Sequence, residues 1–117
     1  MDKIYEHTML FDFYGELLTE HQRKVYEDAV YNDLSLSEIA EEQGISRQGV
    51  HDLIKRCNKI LQDYESKLHL VERFSKAKEN VKQIEKLSRS GSAEDMDALK
   101  GRLAKIDKLT KELLENL

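Results

Sequence analysis

The sequence predicts an all-α protein: a helix-turn-helix domain followed by a C-terminal αα-hairpin. Three observations predict it. Apolar residues recur at three- and four-residue steps through most of the chain, the spacing of a helix face and not of a strand. None of the 117 residues is proline, so nothing interrupts long helices. Thr19, Ser35, Ser46 and Ser92 each stand where a hydroxyl can cap the helix that follows.

The first helix is expected over Ile4–Leu18. Its stripe of Tyr5, Met9, Leu10, Phe13, Tyr14 and Leu17 reads as core rather than as a ligand-binding aromatic cluster. Thr19 and Gln22 form a capping box for a second helix, Glu20 to Asn32, with Val25, Tyr26, Ala29 and Val30 facing inward. Ser35 and Glu38 form a second box, and Ile39 and Ala40 follow at core positions. Gly44 supplies the positive φ that ends this third helix, Ile45 plugs the corner, and Ser46 starts the fourth. In the fourth, extending to Tyr64, Val50, Leu53, Ile54 and Cys57 share the core face. Helix, Gly turn and helix together make a helix-turn-helix, which points first to nucleic-acid recognition.

The second half changes character. Leu70, Phe74, Ala77, Val81 and Ile84 alternate four- and three-residue steps, and Met96, Leu99, Leu103, Ile106 and Leu113 do much the same. Between them Ser88–Glu94 reads as a turn, with Ser92 and Asp95 as the cap of the last helix. The expected organisation is therefore residues 1–66 as the helix-turn-helix domain and 67–117 as an antiparallel hairpin with a coiled-coil-like seam. Two amphipathic helices alone bury little. Either the first domain or a second copy must complete the seam, and a homodimer is the preferred outcome.

Composition excludes several classes. No apolar run approaches the roughly 20 residues that span a bilayer. The segment Met1–His7 lacks the basic start and apolar core of a signal peptide, so the chain is expected in the cytoplasm. Cys57 is the single cysteine and forms no internal disulfide; on its apolar stripe it reads as a small hydrophobe rather than a nucleophile. His7, His21, His51 and His69 are scattered, with no metal-ligand spacing. Neither a phosphate loop nor a nucleophile elbow occurs. The chain is read as no enzyme, with no cofactor and no metal.

The candidate site lies on the fourth helix. Arg47, Gln48, His51 and Lys55 fall outside its core stripe on the first turns, with Asp52 among them, and Arg56 and Lys59 follow. Such side chains reach base edges and phosphates: Arg pairs with guanine and Gln with adenine in a DNA major groove. Charge runs against a strong version of this reading. Residues 1–66 hold 7 Lys/Arg and 14 Asp/Glu, net −7, while 67–117 hold 12 and 9, net +3. Phosphate contact dominates nucleic-acid affinity, so binding by the acidic domain alone should be weak and strongly salt-dependent. Lys76, Lys78, Lys82, Lys86 and Arg89 of the hairpin read mainly as a solvated face, with an RNA-phosphate patch as the sharper alternative.

Two resemblances extend this. Leu18-Thr-Glu-His-Gln-Arg, followed by Leu34-Ser-Leu-Ser-Glu-Ile-Ala, resembles region four of bacterial sigma factors (the sigma-70 type) over residues 18–61. That region reads promoter DNA and contacts RNA polymerase, but nothing in the chain resembles the other sigma regions. Nearly the whole chain resembles the YlxM family, through Leu10-Phe-Asp-Phe-Tyr-Gly-Glu-Leu-Leu-Thr, Asn32-Asp-Leu-Ser-Leu-Ser-Glu-Ile-Ala-Glu-Glu and Ser46-Arg-Gln-Gly-Val-His-Asp. The genes of that family lie beside those of the signal recognition particle GTPases. The resemblance thus implies a DNA-binding or RNA-binding accessory role near protein targeting, with the particle's RNA or its GTPases as partners. The competing expectation is a protein-interaction module that keeps the helix-turn-helix as scaffold and docks a targeting GTPase by its acidic surface.

Overall fold

A computed structural model of the chain describes residues 3–89 and 94–117, and the side chains from Tyr5 onward. Among the described residues there are six α-helices and no strand: α1 Lys3–Tyr14, α2 Glu20–Val30, α3 Leu36–Gln43, α4 Arg47–Leu68, α5 Leu70–Arg89 and α6 Met96–Glu115. The all-α expectation holds. The chain divides into two compact units, Met1–Val71 and Glu72–Leu117.

In the first unit the caps stand where the sequence puts them. Thr19 Oγ1 accepts from Gln22 N–H at 3.2 Å, and the Gln22 side chain accepts from Thr19 N–H at 3.0 Å. Ser35 and Glu38 repeat this box. Ser46 Oγ accepts from Gly49 N–H at 2.9 Å. Gly44 takes φ +67, a left-handed conformation that closes α3 cheaply because glycine carries no Cβ.

Two contiguous cores position α4. Val25, Ile39, Ala40 and Val50 join α2, α3 and the start of α4. Met9, Leu10, Tyr14, Leu18, Tyr26, Cys57 and Leu61 join α1, α2 and the rest of α4. Phe11 stacks on Tyr26 with ring centroids 5.3 Å apart, and the Tyr26 hydroxyl donates to Asn58 Oδ1 at 2.7 Å, pinning α2 to α4. Cys57 is fully buried, and burial pushes its thiol up to about 11, so the thiolate is scarce at neutral pH.

Several expectations need correcting. The first helix stops at Tyr14, and Gly15–Leu17 tightens into a 3-10 turn. The tighter winding rotates the stripe, so Leu18 is buried while Leu17 is 53% exposed; Tyr5, at the other end, is also exposed. Ile45 sits at the corner but 36% exposed, so it only partly plugs it. α2 ends at Val30 rather than Asn32, and the Asn32 amide instead donates to Asp28. Asp28, near the C-terminal end of α2, is buried although it carries a carboxyl group.

α4 runs past Tyr64 to Leu68 and ends on His69 in the left-handed region, φ 57. A partly buried polar bridge then holds the chain. The Tyr14 hydroxyl donates to Glu65 Oε1 at 2.5 Å and accepts from Leu70 N–H at 3.0 Å, while Glu65 Oε1 also accepts from Val71 N–H at 3.0 Å. These are first-turn amides of α5, which no helical carbonyl can satisfy. The first compact unit reaches Val71.

The second unit is the hairpin. Arg102 Nη1 donates to the Leu87 carbonyl at 2.6 Å, and the Arg102 guanidinium also grips Glu94. Farther along, Gln83 lies beside Leu109 and Glu112, so the two helices pair in reverse order, antiparallel. The half-buried rows are Ala77, Asn80, Ile84 and Leu87 on α5, and Leu99, Arg102, Ile106, Leu109 and Leu113 on α6. Those rows correct the expected stripes: Phe74, Val81, Met96 and Leu103 lie beside the seam and are exposed. The proposed Ser92 cap lies outside the described residues; α6 is capped by Asp95, whose Oδ1 accepts from Ala98 N–H at 2.7 Å.

Candidate nucleic-acid interface

The second helix of the helix-turn-helix, α4, carries every residue singled out from the sequence. Val50 and Cys57 are buried and Leu53 and Ile54 half-buried, so the opposite side of α4 must face solvent. Arg47, Gln48, His51, Lys55, Arg56 and Lys59 are all exposed. They fall in two adjacent rows at four-residue steps. One row is Arg47, His51, Lys55 and Lys59; the other is Gln48, Asp52 and Arg56.

Asp52 organises the first turns. Its Oδ1 accepts from Gln48 Nε2 at 3.0 Å and lies 3.7 Å from His51 Nδ1. The Gln48 amide is thereby held, with its oxygen and a second N–H still free to pair. The His51–Asp52 contact is exposed, and such a pair has small energetic value. Among the described residues, Arg47, Lys55, Arg56 and Lys59 have no carboxylate within ion-pair distance. Their charge is uncompensated locally, although the domain around them is acidic. The N-terminal end of α4 adds positive partial charge on the same side as Arg47.

Two shallow concavities border the face. Leu36 of α3 lies beside Arg47, Gln48 and His51. Asn58 and Gln62 join Lys55 and Lys59 farther along. Sequence pattern alone misses Gln62, although it follows Lys55 at seven residues on the same side, two full turns later. It misses Gly49 too. A Cβ there would come within 3.1 Å of Ser46 Oγ, crowding the cap that starts the helix.

The arrangement can do two things chemically. Arg47 and Gln48 can present planar donors and acceptors to base edges, and Lys55, Arg56 and Lys59 can approach phosphates as point charges. The opposite chemistry lies on α3, where Glu38, Glu41 and Glu42 are exposed.

Among the described residues no helix is long and apolar enough to cross a membrane. The family described as "Putative helix-turn-helix protein, YlxM / p13 like" matches residues 1–100. A UPF0122 protein of Acetivibrio thermocellus is 43% identical over 121 residues, spanning 99% of this chain and all of that protein. One from Clostridium botulinum is 45% identical over 118 residues, spanning 100% of both chains. One from Clostridium kluyveri is 49% identical over 98 residues, 80% of this chain and 87% of its own. The chain belongs to this YlxM / p13-like helix-turn-helix family, UPF0122.

Proposed function

We propose that the protein is a non-enzymatic, cytoplasmic nucleic-acid-binding accessory or regulatory protein that acts in the signal recognition particle pathway. The carrying observation is the exposed face of α4, where Arg47, Gln48, His51, Lys55, Arg56 and Lys59 stand together on the second helix of a helix-turn-helix. Gln48 and Arg47 read bases if the target is duplex DNA; Arg56 and Lys59 lie nearer the backbone. If the target is the particle's RNA, the narrow A-form major groove excludes α4, and contact falls on loops and backbone. Self-association of the chain would double the contact, as in other helix-turn-helix proteins.

The test is titration of the full chain with labelled duplex DNA and with the particle's RNA across a salt series. Affinity that falls steeply with salt supports phosphate contact. Salt-insensitive affinity, or none for either nucleic acid, defeats the reading.

One observation favours a second reading. Residues 1–66 carry net −7, and the carboxylates of α3, the first helix of the motif, face solvent. A basic protein partner, such as a targeting GTPase, suits that surface. Binding of the particle's purified GTPases in the absence of RNA, lost when Glu38, Glu41 and Glu42 are changed to Gln, separates this reading from the first.

A further inference from the structure

Tyr26 is fully buried, and its hydroxyl donates to Asn58 Oδ1 at 2.7 Å. A buried phenol needs such an acceptor. The bond also sets the amide of Asn58. Its oxygen arm is turned inward, which leaves the nitrogen arm, with two N–H donors, as the outward one. Among the described residues no protein acceptor meets that nitrogen, and it is not sealed from solvent.

Asn58 lines a shallow concavity on α4 with Asp52, Lys55, Arg56, Lys59 and Gln62. Three cations stand there against one carboxylate, and Asp52 already accepts from Gln48 and lies beside His51. Asp63, four residues after Lys59, is outside the lining. On the helix, His51, Lys55, Asn58 and Gln62 follow at four-, three- and four-residue steps, so they run down the side of α4 that Arg47 begins.

We infer that this stretch holds a backbone phosphate of duplex DNA, with the Asn58 amide as its fixed donor and Tyr26 as the residue that positions the amide. The inference rests on the reading of α4 as a nucleic-acid face and names what fixes the backbone there. An Asn that reads adenine offers its oxygen and nitrogen together. With its oxygen turned to Tyr26, Asn58 offers donors only, and a phosphate presents acceptors only. Position agrees. At about 1.5 Å per residue, Asn58 lies about 16 Å beyond Arg47 along α4. The major groove is about 12 Å wide. A helix whose first turns touch base edges therefore carries Asn58 to the rim, where the phosphates run. Lys55 and Lys59 attract a phosphate from flexible stems, whereas an amide held from the core fixes where it sits.

Titration of the full chain with labelled duplex DNA of two unrelated sequences, across a salt series, tests this, with circular dichroism melts on every variant. Asn58→Asp keeps an oxygen for the Tyr26 hydroxyl and Asn58→Ala does not, so the loss they share is the amide N–H. Asn58→Ala should weaken binding about ten-fold, and Asn58→Asp more, on both sequences alike. For Asn58→Ala the salt slope stays, because a neutral amide displaces no counterion, whereas Lys59→Ala lowers it by about 1. Tyr26→Phe changes no charge and should weaken binding several-fold at the same slope. Adding Asn58→Ala to it should then cost less than Asn58→Ala costs alone, and full additivity overturns the positioning role of Tyr26. A folded Asn58→Asp chain that binds like wild type overturns the inference, because Asn58 then serves only Tyr26. Unequal losses on the two sequences overturn it as well, since they mark a base contact, and so does a chain that binds the particle's RNA but no duplex. If Arg47→Ala and Lys55→Ala weaken binding while the Asn58 variants do not, the α4 reading stands without this site. If all four bind like wild type, both fall.

Discussion

At the residue scale, Asp28 is the side chain whose environment departs furthest from its sequence context. It is 1% exposed, and its Oδ1 accepts from Asn32 Nδ2 at 2.9 Å and Lys24 Nζ at 3.1 Å, while Oδ2 has no partner among the described residues. The Asn32 amide, then Lys24, hold its carboxyl below the usual carboxylate value, against the opposing effect of burial. An unfolded Asp titrates near about 3.9. Because the folded value is lower, the unfolded chain binds more protons on the acid side. The carboxylate thus contributes stability that is fully present above about pH 4 and is lost as pH falls through the folded value. Melting temperatures between neutral and acid pH should therefore fall less steeply for Asp28→Asn than for wild type. Equal slopes would show that Asp28 has no part in acid unfolding. Tyr14 is the second such residue. Tyr14→Phe removes the donor to Glu65 and the acceptor for Leu70 N–H, an expected loss of about 1–3 kcal/mol because the partners stay partly buried. Amide exchange at Leu70 and Val71 should accelerate most. Neither role is visible in the sequence, since each partner lies 51 or 56 positions away from Tyr14.

At the element scale, whatever the helices encode locally is legible. The boxes at Thr19 and Ser35, the cap at Ser46 and the left-handed Gly44 all follow from residues within four positions of one another. What fails depends on tertiary register. The 3-10 turn at Gly15–Leu17 exchanges Leu17 for Leu18 in the core, and no local propensity announces it. Residue 69 is a histidine where glycine would be the usual helix terminator, so α4 could not be ended correctly from sequence alone. The hairpin stripes mix seam and flank because Phe74, Val81, Met96 and Leu103 are as apolar as the seam rows, and periodicity cannot separate them. Apart from Gln62, the exposed face of α4 is legible, since exposure there follows from the strong core stripe opposite. Two glycines test the local account in opposite directions. Gly44→Ala forces a Cβ into a left-handed conformation and should cost about 1 kcal/mol. Gly101 is helical and exposed, and a Cβ added there would meet no atom within 4 Å, so Gly101→Ala should stabilise α6 by about 1 kcal/mol. Urea denaturation of both variants measures the signs, and two changes of the same sign would contradict the backbone argument.

At the scale of the whole molecule, charge and architecture divide along the chain. The helix-turn-helix half is acidic apart from one face of α4, and the hairpin half is basic. A nucleic acid approaching this chain is repelled by most of the first unit and attracted by α4 and by the lysines of the second, so the two candidate sites compete as explanations of any binding. Substitution separates them. Arg47→Ala and Lys55→Ala should each weaken binding without unfolding, because neither side chain joins the Val50 and Cys57 core. A lost base contact costs about 1–3 kcal/mol and relaxes sequence preference; a lost phosphate contact weakens all sequences alike and lowers the salt slope by about 1. Val50→Asp is the folding control, since it places a charge at a fully buried position between α2, α3 and α4. Lys82→Glu and Lys86→Glu reverse charge on the hairpin, far in sequence from α4. If those two abolish binding while Arg47→Ala and Lys55→Ala bind like wild type, the helix-turn-helix serves as scaffold and the hairpin lysines hold the phosphates. The expected result is the reverse, because α4 combines cations that, among the described residues, have no ion pair with an exposed amide, Gln48, held by Asp52.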